Sequence, residues 1–361
     1  MKICHVSFAR INGEPERWLK SIPYHTRVLE RLARRHAIVS FHFSSRSQTI
    51  ERNGVVYHFM RAGFLEYTFL ISVIAAVRRE APGMIVLHGM HAVVKMALFV
   101  RALGGIRVVV QHHGERVFAW PKAWLQKYND RFVAGYFFSS SEMGAPWVER
   151  KIIASRDKII QILEATSSFE PSPRANPNDE LSFLWVGRID QNKDPDTLID
   201  AFKDFLEHRP DAKLFIISKD ESRLRLLHSR IGDASRSIRV VGSVAHHLMM
   251  DWFSNVNFIV STSLFEGSGI AVLEAMSAGC IPILSDIPSF RTITGRGEVG
   301  MLFEPASARE LTKALLRAQN LKVADEQKRV IDYFCEHLSA NAIAIQIENS
   351  LLRLNSERSQ H

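Results

Sequence analysis

The alternation of strand-like and helix-like patterns is the feature of this sequence that most constrains its fold. In the first half of the chain, short apolar runs such as residues 3–8 and 107–111 alternate with amphipathic stretches of ten to fifteen residues, such as 24–35 and 66–80. Strands and helices that alternate in this way predict βαβ units around a parallel sheet that is covered on both faces.

One segment interrupts this alternation. Residues 165–182 contain three prolines, many small polar residues and almost no apolar ones, a composition typical of a domain boundary. Beyond it the alternation resumes, and the C-terminus is largely helical. The sequence therefore predicts two doubly wound α/β domains whose ligand-binding edges face each other across a cleft. The expected domains are residues 1–168, residues 169–335 and a C-terminal helix, 336–361, that packs back on the first domain.

The composition narrows the class of protein. Of the 361 residues, 46% are apolar and 23% are charged, which excludes a disordered chain, a coiled coil and a collagen-like fibre. No stretch offers the 18–20 uninterrupted apolar residues of a membrane span, and we expect no signal peptide, because the N-terminal residues include no separate apolar region before a cleavage site. The three cysteines have no metal-type spacing, and an odd number cannot all pair. We therefore expect a cytoplasmic protein.

The charge is distributed unevenly along the chain. Residues 1–170 carry a net charge of +11 and residues 171–361 one of −3. The basic residues are dispersed without a nucleic-acid-binding motif, so nucleic acid is not expected as a partner. An anionic membrane surface is one alternative, and a merely solvated face is the other.

The membrane alternative depends on one helix and the segment before it. The predicted helix 24–35 carries four arginines, and Trp18, Leu19 and Ile22 precede it. Exposed apolar side chains beside cations would suit anionic lipid and place the protein at the inner face of the membrane. If Trp18 instead packs into the core, the face is only solvated. The sequence leaves both alternatives open.

The strongest motif is a strand, a glycine-containing loop and a helix at residues 257–280, NFIVSTSLFEGSGIAVLEAMSAGC. Glycines let a ligand approach the backbone, and the unpaired N–H groups of a first helical turn bind anions. Glu266 precedes this turn, and Glu274 lies inside a mostly apolar helix, where a charge is costly without a partner. A ligand with hydroxyls on both sides of a diphosphate would contact all three elements, and a sugar–diphosphate–ribose has this layout.

A second motif, WVGRIDQNK at residues 185–193, follows another strand. Gly187 permits a tight exit from the strand. Arg188 supplies a planar fork of donors and Lys193 a mobile point charge, a suitable pair for a diphosphate.

Together the two motifs resemble the donor half of the retaining glycosyltransferase family four, defined by an E-x7-E motif and the GT-B fold of two Rossmann-like domains. The resemblance implies that Arg188 and Lys193 hold the donor diphosphate, that Glu274 binds the ribose hydroxyls and that Glu266 contacts the donor sugar. It also implies that these enzymes need no metal or cofactor, and that the leaving phosphate oxygen takes the acceptor's proton. The remaining donor-binding candidates are Gly187, Gly267, Ser268, Gly269 and Ile270.

The first domain departs more from the family pattern. His113 follows a buried strand, and the resemblance places it near the transferred sugar or the acceptor, although a structural histidine is almost as well supported. Its neighbour His112 is predicted to point the other way, because side chains alternate along a strand. Gly13 stands where the family has a double glycine, and is a candidate for the acceptor-side loop. His88, which closes the preceding strand, is a weaker candidate.

Two other motifs imitate known sites. Residues 267–272, with Asp286, imitate a dinucleotide fingerprint, but its sixth position is Val272, so a dehydrogenase is disfavoured. Asp194-Pro195-Asp196 imitates a metal-binding DxD motif, but Asp194 before a proline is better explained as a helix N-cap. We therefore expect no bound metal.

These observations predict a retaining, metal-independent hexosyltransferase. It would move a sugar from a nucleotide-diphosphate donor to a glycan or lipid-linked acceptor, as in the assembly of a surface polysaccharide or glycolipid. Two alternatives stay open: a sugar-nucleotide epimerase, and a catalytically silent subunit that binds nucleotide sugars. The expected catalytic residues are Arg188, Lys193, Glu266 and His113.

Overall fold

The computed structural model describes residues 1–61, 66–171 and 181–356. The chain divides into two compact units. The first contains residues 1–168 and the residues from 340 onward, and the second contains residues 169–339. Half of the predicted boundary segment 165–182, namely residues 172–180, lies outside the described residues.

The first unit is built on one mixed sheet. Its described strands are β1 Lys2–Arg10, β2 Ala37–Ser44, β3 Gln48–Arg52, β4 Val55–Arg61, β5 Met84–His88, β6 Arg107–Gln111, β7 Val133–Phe138 and β8 Ile159–Gln161. Their order in the sheet is β3-β4-β2-β1-β5-β6-β7-β8, and the β3–β4 pair is antiparallel while the other pairs are parallel.

Helices cover both faces of this sheet. The described helices that connect its strands are α1 Pro15–Ser21, α2 Pro23–Leu32, α3 Glu66–Glu80, α4 Val93–Ala102, α5 Lys122–Asp130 and α6 Ser141–Glu149. The connections from β4 to β8 all advance in one direction along the sheet, whereas the β1–β2 connection runs the opposite way. Because such crossovers are right-handed, α3 to α6 share one face and α2 lies on the other.

The second unit repeats this plan with a parallel sheet. Its described strands are β9 Ser182–Val186, β10 Lys213–Ile217, β11 Ile238–Gly242, β12 Phe258–Ser261, β13 Ile281–Ser285 and β14 Met301–Phe303. Its described helices are α7 Pro195–Leu206, α8 Glu221–Ile231, α9 Met249–Ser254, α10 Ile270–Ser277, α11 Pro288–Ile293, α12 Ala308–Ala318 and α13 Val323–Tyr333. The strand order is β11-β10-β9-β12-β13-β14.

This order creates a switch point between β9 and β12. The chain leaves β9 toward one edge of the sheet through α7, and leaves β12 toward the other edge through α10. Helices α7 and α10 therefore lie on opposite faces, and a crevice opens between the carboxyl ends of the two strands. Both motifs singled out in the sequence follow these two strands.

The C-terminus returns to the first unit. After α13, a π-helical turn at Phe334–Leu338 precedes α14, Ala340–Ser356. Helix α14 packs against α2, and Glu348 accepts hydrogen bonds from Arg35 at 3.0 Å and His36 at 2.9 Å. The predicted fold class, two Rossmann-like α/β sheets with a helical C-terminus, is confirmed. No helix among the described residues is long and apolar enough to cross a bilayer.

The structure distinguishes between the two alternatives for the segment before α2. Leu19 is only 2% exposed, because it lies on the inner side of α1. Trp18 is half-buried, with its ring 4.6 Å from that of His42 and 6.0 Å from that of Phe59. Ile22 is half-buried as well. The segment before α2 therefore does not present the apolar surface that the membrane alternative required.

Candidate functional site

The loop after β9 carries two of the predicted cations. The Gly187 N–H donates to the carbonyl of Ile217 at 3.1 Å, and a Cβ here would lie 2.9 Å from the Trp185 ring. The position therefore favours glycine. The Arg188 side chain is 72% exposed, and its guanidinium lies 3.2 Å from Asp190. This guanidinium can reorient toward a ligand, since an exposed ion pair of this kind holds it only weakly.

Lys193 joins the β9 loop to the β12 loop. Its ammonium donates to Glu266 Oε1, which also accepts from the Ser263 hydroxyl at 2.8 Å. Its carbonyl accepts from the Thr262 hydroxyl at 2.7 Å, and the Leu264 N–H donates to the Asn192 carbonyl at 2.8 Å. These bonds fix both loops at the switch point, so Lys193 and Glu266 are held in place before any ligand arrives.

The N-terminus of α10 is suited to bind an anion. Gly269 is its N-cap with φ +59°, and a Cβ there would lie 2.8 Å from Phe290 Cε1, so only glycine fits without displacement. No side chain caps this helix and no acidic residue lies in its first turn. Gly267 is half-buried and Ser268 is 4% exposed. The amides of Ile270 and Ala271 stand in the first turn, where N–H groups have no acceptor within the helix.

Glu274 has a partner that the sequence did not reveal. Its side chain is 6% exposed, and its Oε1 lies 2.8 Å from His246 Nε2. The hydrogen bond to Glu274 raises the pKa of His246 above its ordinary value, against an opposing effect of burial. The Phe169 ring stacks on the imidazole at 5.1 Å with an interplanar angle of 19°. An aromatic pair therefore lies beside the carboxylate that was predicted to bind ribose.

The acidic residues of the two motifs that imitate known sites make local contacts. The Asp194 carboxylate accepts from the N–H of Thr197 at 3.3 Å and caps α7, with Pro195 as the first helical residue, which confirms the N-cap prediction. Asp286 Oδ1 accepts a hydrogen bond from Arg291 Nε at 2.6 Å. Among the described residues, no group of three or more histidines, cysteines and carboxylates is arranged to hold a metal.

In the first unit, His113 ends a chain of three hydrogen-bonded imidazoles. Its Nδ1 is hydrogen-bonded to Glu164, its Nε2 lies 3.3 Å from His88 Nδ1, and His88 Nε2 lies 3.0 Å from His5 Nδ1. When all three rings are neutral, the carboxylate of Glu164 requires a proton on His113 Nδ1. Every N–H in the chain then points toward Glu164, because each neutral ring has one donor and one acceptor.

Burial and neighbouring charges shift the pKa values of these histidines in different directions. Burial, together with the charges of neighbouring imidazoles, lowers the pKa of His5 to about 3 and that of His88 well below its ordinary range. Burial also lowers the pKa of His113, but the hydrogen bond and charge of Glu164 outweigh it and leave this pKa raised. His113 is therefore the group of the chain that takes up a proton first. Its side chain is 37% exposed, so it is also accessible to a ligand.

The three other candidates of the first unit, His112, Gly13 and His88, have different surroundings. His112 is 1% exposed and stacks on Phe138 at 4.4 Å, which confirms that it points away from His113. Gly13 has φ +88°, and a Cβ there would meet nothing within 4 Å, so it lies in an open turn after β1. His88 is more closely connected to His113 than the sequence suggested.

The structure thus brings Arg188, Lys193, Glu266 and the α10 N-terminus to one sheet edge of the second unit. Sequence reasoning missed His246 and Glu164, which hold two of the predicted residues. Both follow strands, β11 and β8, at the same edge as the residue they hold. Position after a strand was the signal that could have identified them.

Comparison with known proteins connects this site to an activity. Residues 167–334 match the family described as Glycosyl transferases group 1. The chain is 24% identical over 312 residues to a GDP-mannose:cellobiosyl-diphosphopolyprenol alpha-mannosyltransferase of Xanthomonas campestris, which covers 82% of this chain and 81% of that protein. It is 30% identical over 152 residues to a phosphatidyl-myo-inositol mannosyltransferase of Mycobacterium leprae, covering 41% and 40%.

A solved structure agrees at the level of the fold. The crystal structure of Anabaena HepE in complex with UDP and glucose superposes with a TM-score of 0.70 at 14% identity, covering 98% of this chain and all of that one. At this identity the likeness shows the fold alone, and it confirms the predicted GT-B class.

Proposed function

We propose that this glycosyltransferase, whose residues 167–334 match the family described as Glycosyl transferases group 1, carries out a retaining, metal-independent hexosyl transfer. The donor is a nucleotide-diphosphate sugar bound at the edge between β9 and β12. The acceptor is a glycan or a lipid-linked glycan in surface polysaccharide or glycolipid assembly. Glycosidic transfer of this kind needs no metal if the protein itself neutralises the leaving diphosphate.

The observation that carries the proposal is the convergence of positive charge at this edge. Arg188 and Lys193 follow β9, and the uncapped N-terminus of α10 follows β12. A helix N-terminus has about half a positive charge, and its amides are oriented before the ligand binds. These groups would stabilise the diphosphate as negative charge develops on it. Such electrostatic stabilisation is usually the largest single contribution to enzyme catalysis.

The carboxylates have separate places in this proposal. Glu274, about one and a half turns inside α10, accepts hydrogen bonds from the ribose hydroxyls. These hydroxyls replace His246 as the partner of Glu274 Oε1. Glu266, held beside Lys193, contacts the donor sugar. The two carboxylates would not form the acid and nucleophile pair of a retaining hydrolase, because the leaving phosphate oxygen takes the acceptor's proton. His113 contacts the transferred sugar or the acceptor from the first unit.

The relatives suggest which donor and acceptor to test first. Both are named as mannosyltransferases, one for GDP-mannose and a diphosphopolyprenol-linked acceptor, the other for a phosphatidylinositol. GDP-mannose with a polyprenol-diphosphate-linked oligosaccharide is therefore the first pair in the assay, and UDP-glucose with the same acceptor is the comparison.

The experiment measures transfer of radiolabelled sugar to extractable lipid, with and without a chelator. We expect transfer that the chelator leaves unchanged, and a product whose anomeric configuration by NMR equals that of the donor. Inversion, or a strict requirement for a divalent ion, would contradict the proposed mechanism. An epimerised donor without transfer would indicate the epimerase alternative, and nucleotide binding without turnover in any acceptor extract would indicate a silent subunit.

A further inference from the structure

The first unit exposes large apolar side chains on one helical layer. Trp120 is 83% exposed and Trp124 is 65% exposed, while Val94 and Leu98 are 49% and 46% exposed. Single exposed apolar side chains are ordinary on a protein surface, but a group of them on neighbouring helices marks an interaction surface. We define the α4–α5 face by these four residues together with the exposed cations Arg101, Lys122 and Lys127.

Helical spacing and hydrogen bonds join these residues into one layer. Val94, Leu98 and Arg101 follow at intervals of four and three residues, so they share the solvent side of α4. Arg101 Nη1 donates to the Tyr128 hydroxyl of α5 at 3.1 Å, and Asn129 Nδ2 donates to the Val93 carbonyl at 3.0 Å. The two helices therefore pack as neighbours on the same face of the sheet.

The exposed charged side chains of this layer are all positive. Residues 93–131, all of them described, contain seven lysines and arginines and two acidic residues. Both acids are held inside: Glu115 accepts from the N–H groups of Met90 at 2.6 Å and His113 at 2.7 Å, and Asp130, 4% exposed, lies 3.0 Å from Lys158. Every exposed charge between α4 and the end of α5 is consequently positive.

We propose that the α4–α5 face docks the enzyme on an anionic lipid bilayer. Tryptophan is enriched at membrane interfaces because its ring is apolar and its N–H is polar, and adjacent cations are attracted by the negative lipid surface. Protein interfaces also favour tryptophan and arginine, but lysine is depleted from them, and two lysines belong to this face. The docking is peripheral, since no described helix can cross the bilayer.

The proposal replaces the surface that the sequence suggested. The arginine-rich helix α2 lies on the opposite face of the sheet, where Glu348 of α14 pairs with Arg35. The α4–α5 face, by contrast, adjoins the candidate acceptor residue: Trp120 lies in the same β6–α5 connection as His113. An enzyme docked there would hold this connection at the bilayer surface, where a lipid-linked acceptor resides.

The test is co-sedimentation with vesicles of phosphatidylcholine alone or with 30% phosphatidylglycerol, together with tryptophan fluorescence. We expect binding only to the anionic vesicles, loss of binding as salt shortens the Debye length, and a blue shift of the emission. Lys122→Gln with Lys127→Gln should weaken partitioning about 25-fold, at about fivefold per cation. Trp120→Ala with Trp124→Ala should weaken it more than roughly tenfold and abolish the blue shift.

Matched controls come from the opposite face. Arg34→Gln on the segment after α2 and Leu352→Ala, 45% exposed on α14, should bind vesicles like the wild type. All substituted side chains are exposed, so each variant should keep the wild-type unfolding midpoint. Equal binding to neutral vesicles, no binding to anionic ones, or equal losses in the controls would overturn the proposal. A wild-type dimer in sedimentation velocity that the tryptophan variants dissociate would instead assign the face to a protein interface.

This outcome is separable from that of the proposed function. Transfer to a water-soluble acceptor analogue should be the same in the tryptophan variants and the wild type, because neither ring belongs to the candidate site. If vesicle binding fails while that transfer persists, only the docking proposal is wrong. If vesicles bind and no transfer occurs with any donor, only the proposed function is wrong.

Discussion

Replacing Lys193 with methionine separates its structural role from its proposed chemical role. Its ammonium contacts Glu266, and the two side chains are 20% and 15% exposed. Methionine preserves most of the apolar stem but leaves Glu266 without its cation. The carboxylate keeps the hydrogen bond from Ser263 at 2.8 Å and some access to water.

The two roles predict effects of different size. Leaving a partly buried charged group without its partner costs about 1–3 kcal/mol of unfolding free energy, less than the 3–5 kcal/mol typical of a fully buried pair. Loss of a donor that acts on developing negative charge costs about 2.7–4 kcal/mol in the transition state, which is a factor of about 10²–10³ in turnover.

A double-mutant cycle with Glu266→Gln distinguishes them. Urea unfolding and sugar transfer are measured for Lys193→Met, Glu266→Gln and the double variant. The double variant should recover most of the lost stability, because no unpaired charge remains, but its turnover should stay at least a hundredfold below the wild type. Turnover within threefold of the wild type in Lys193→Met, or recovery of turnover in the double variant, would refute the contact with the diphosphate. Arg188→Gln is the comparison: an exposed pair should cost little stability and more than a hundredfold in turnover.

The remaining predictions concern the other charges. Glu274→Gln should weaken nucleoside diphosphate binding in calorimetry at least tenfold, because a charged acceptor contributes about 1.5–3 kcal/mol; unchanged affinity would contradict its ribose role. The raised pKa of His246 means that its protonated form holds Glu274 through a charged pair at low pH, and that the pair weakens as pH rises through that pKa and the positive charge is lost. Nucleotide affinity should therefore increase with pH in the wild type, by a slope that His246→Gln reduces. Glu164→Gln should lower transfer more than tenfold without changing nucleotide affinity, because it removes the negative charge that raises the pKa of His113 and keeps a proton on its Nδ1. A changed nucleotide affinity would speak against this separation.

The elements that the sequence predicted best have the clearest patterns. Strand β6, a continuous apolar run, and helix α3, a long amphipathic stretch, begin and end at the predicted residues. Helix α6 was missed since Gly144 and Pro146 lie inside it. The glycine is needed there, because a Cβ would lie 2.7 Å from Ile159 Cγ2 of β8, and this requirement arises only in the folded chain. The antiparallel edge strand β3 was missed because its residues are mostly polar.

The sequence predicted the motifs of the candidate site but not the partners of their side chains. Each motif is local: a strand end, a loop and a helix start lie within 24 residues of sequence, so their juxtaposition follows from the βα pattern. The partners are not local. His246 is 28 residues from Glu274, and Glu164 is 51 residues from His113. Only the order of strands in the sheet determines that such residues meet, and that order is not written in any single motif.

These partners change the electrostatic reasoning about the second unit. A buried carboxylate such as Glu274 was expected to need a ligand, yet His246 already compensates it. Lys193 and Arg188 are likewise paired, with Glu266 and Asp190. Under the proposed function, a nucleotide sugar therefore exchanges existing partners: phosphate replaces carboxylate at the cations, and ribose hydroxyls replace imidazole at Glu274. The net binding energy of each contact is then a difference between two pairings, while the α10 N-terminus, which no side chain caps, contributes without such an exchange. The helix N-terminus is accordingly expected to dominate diphosphate affinity, and the exchangeable side chains to act mainly as charge develops on the leaving group.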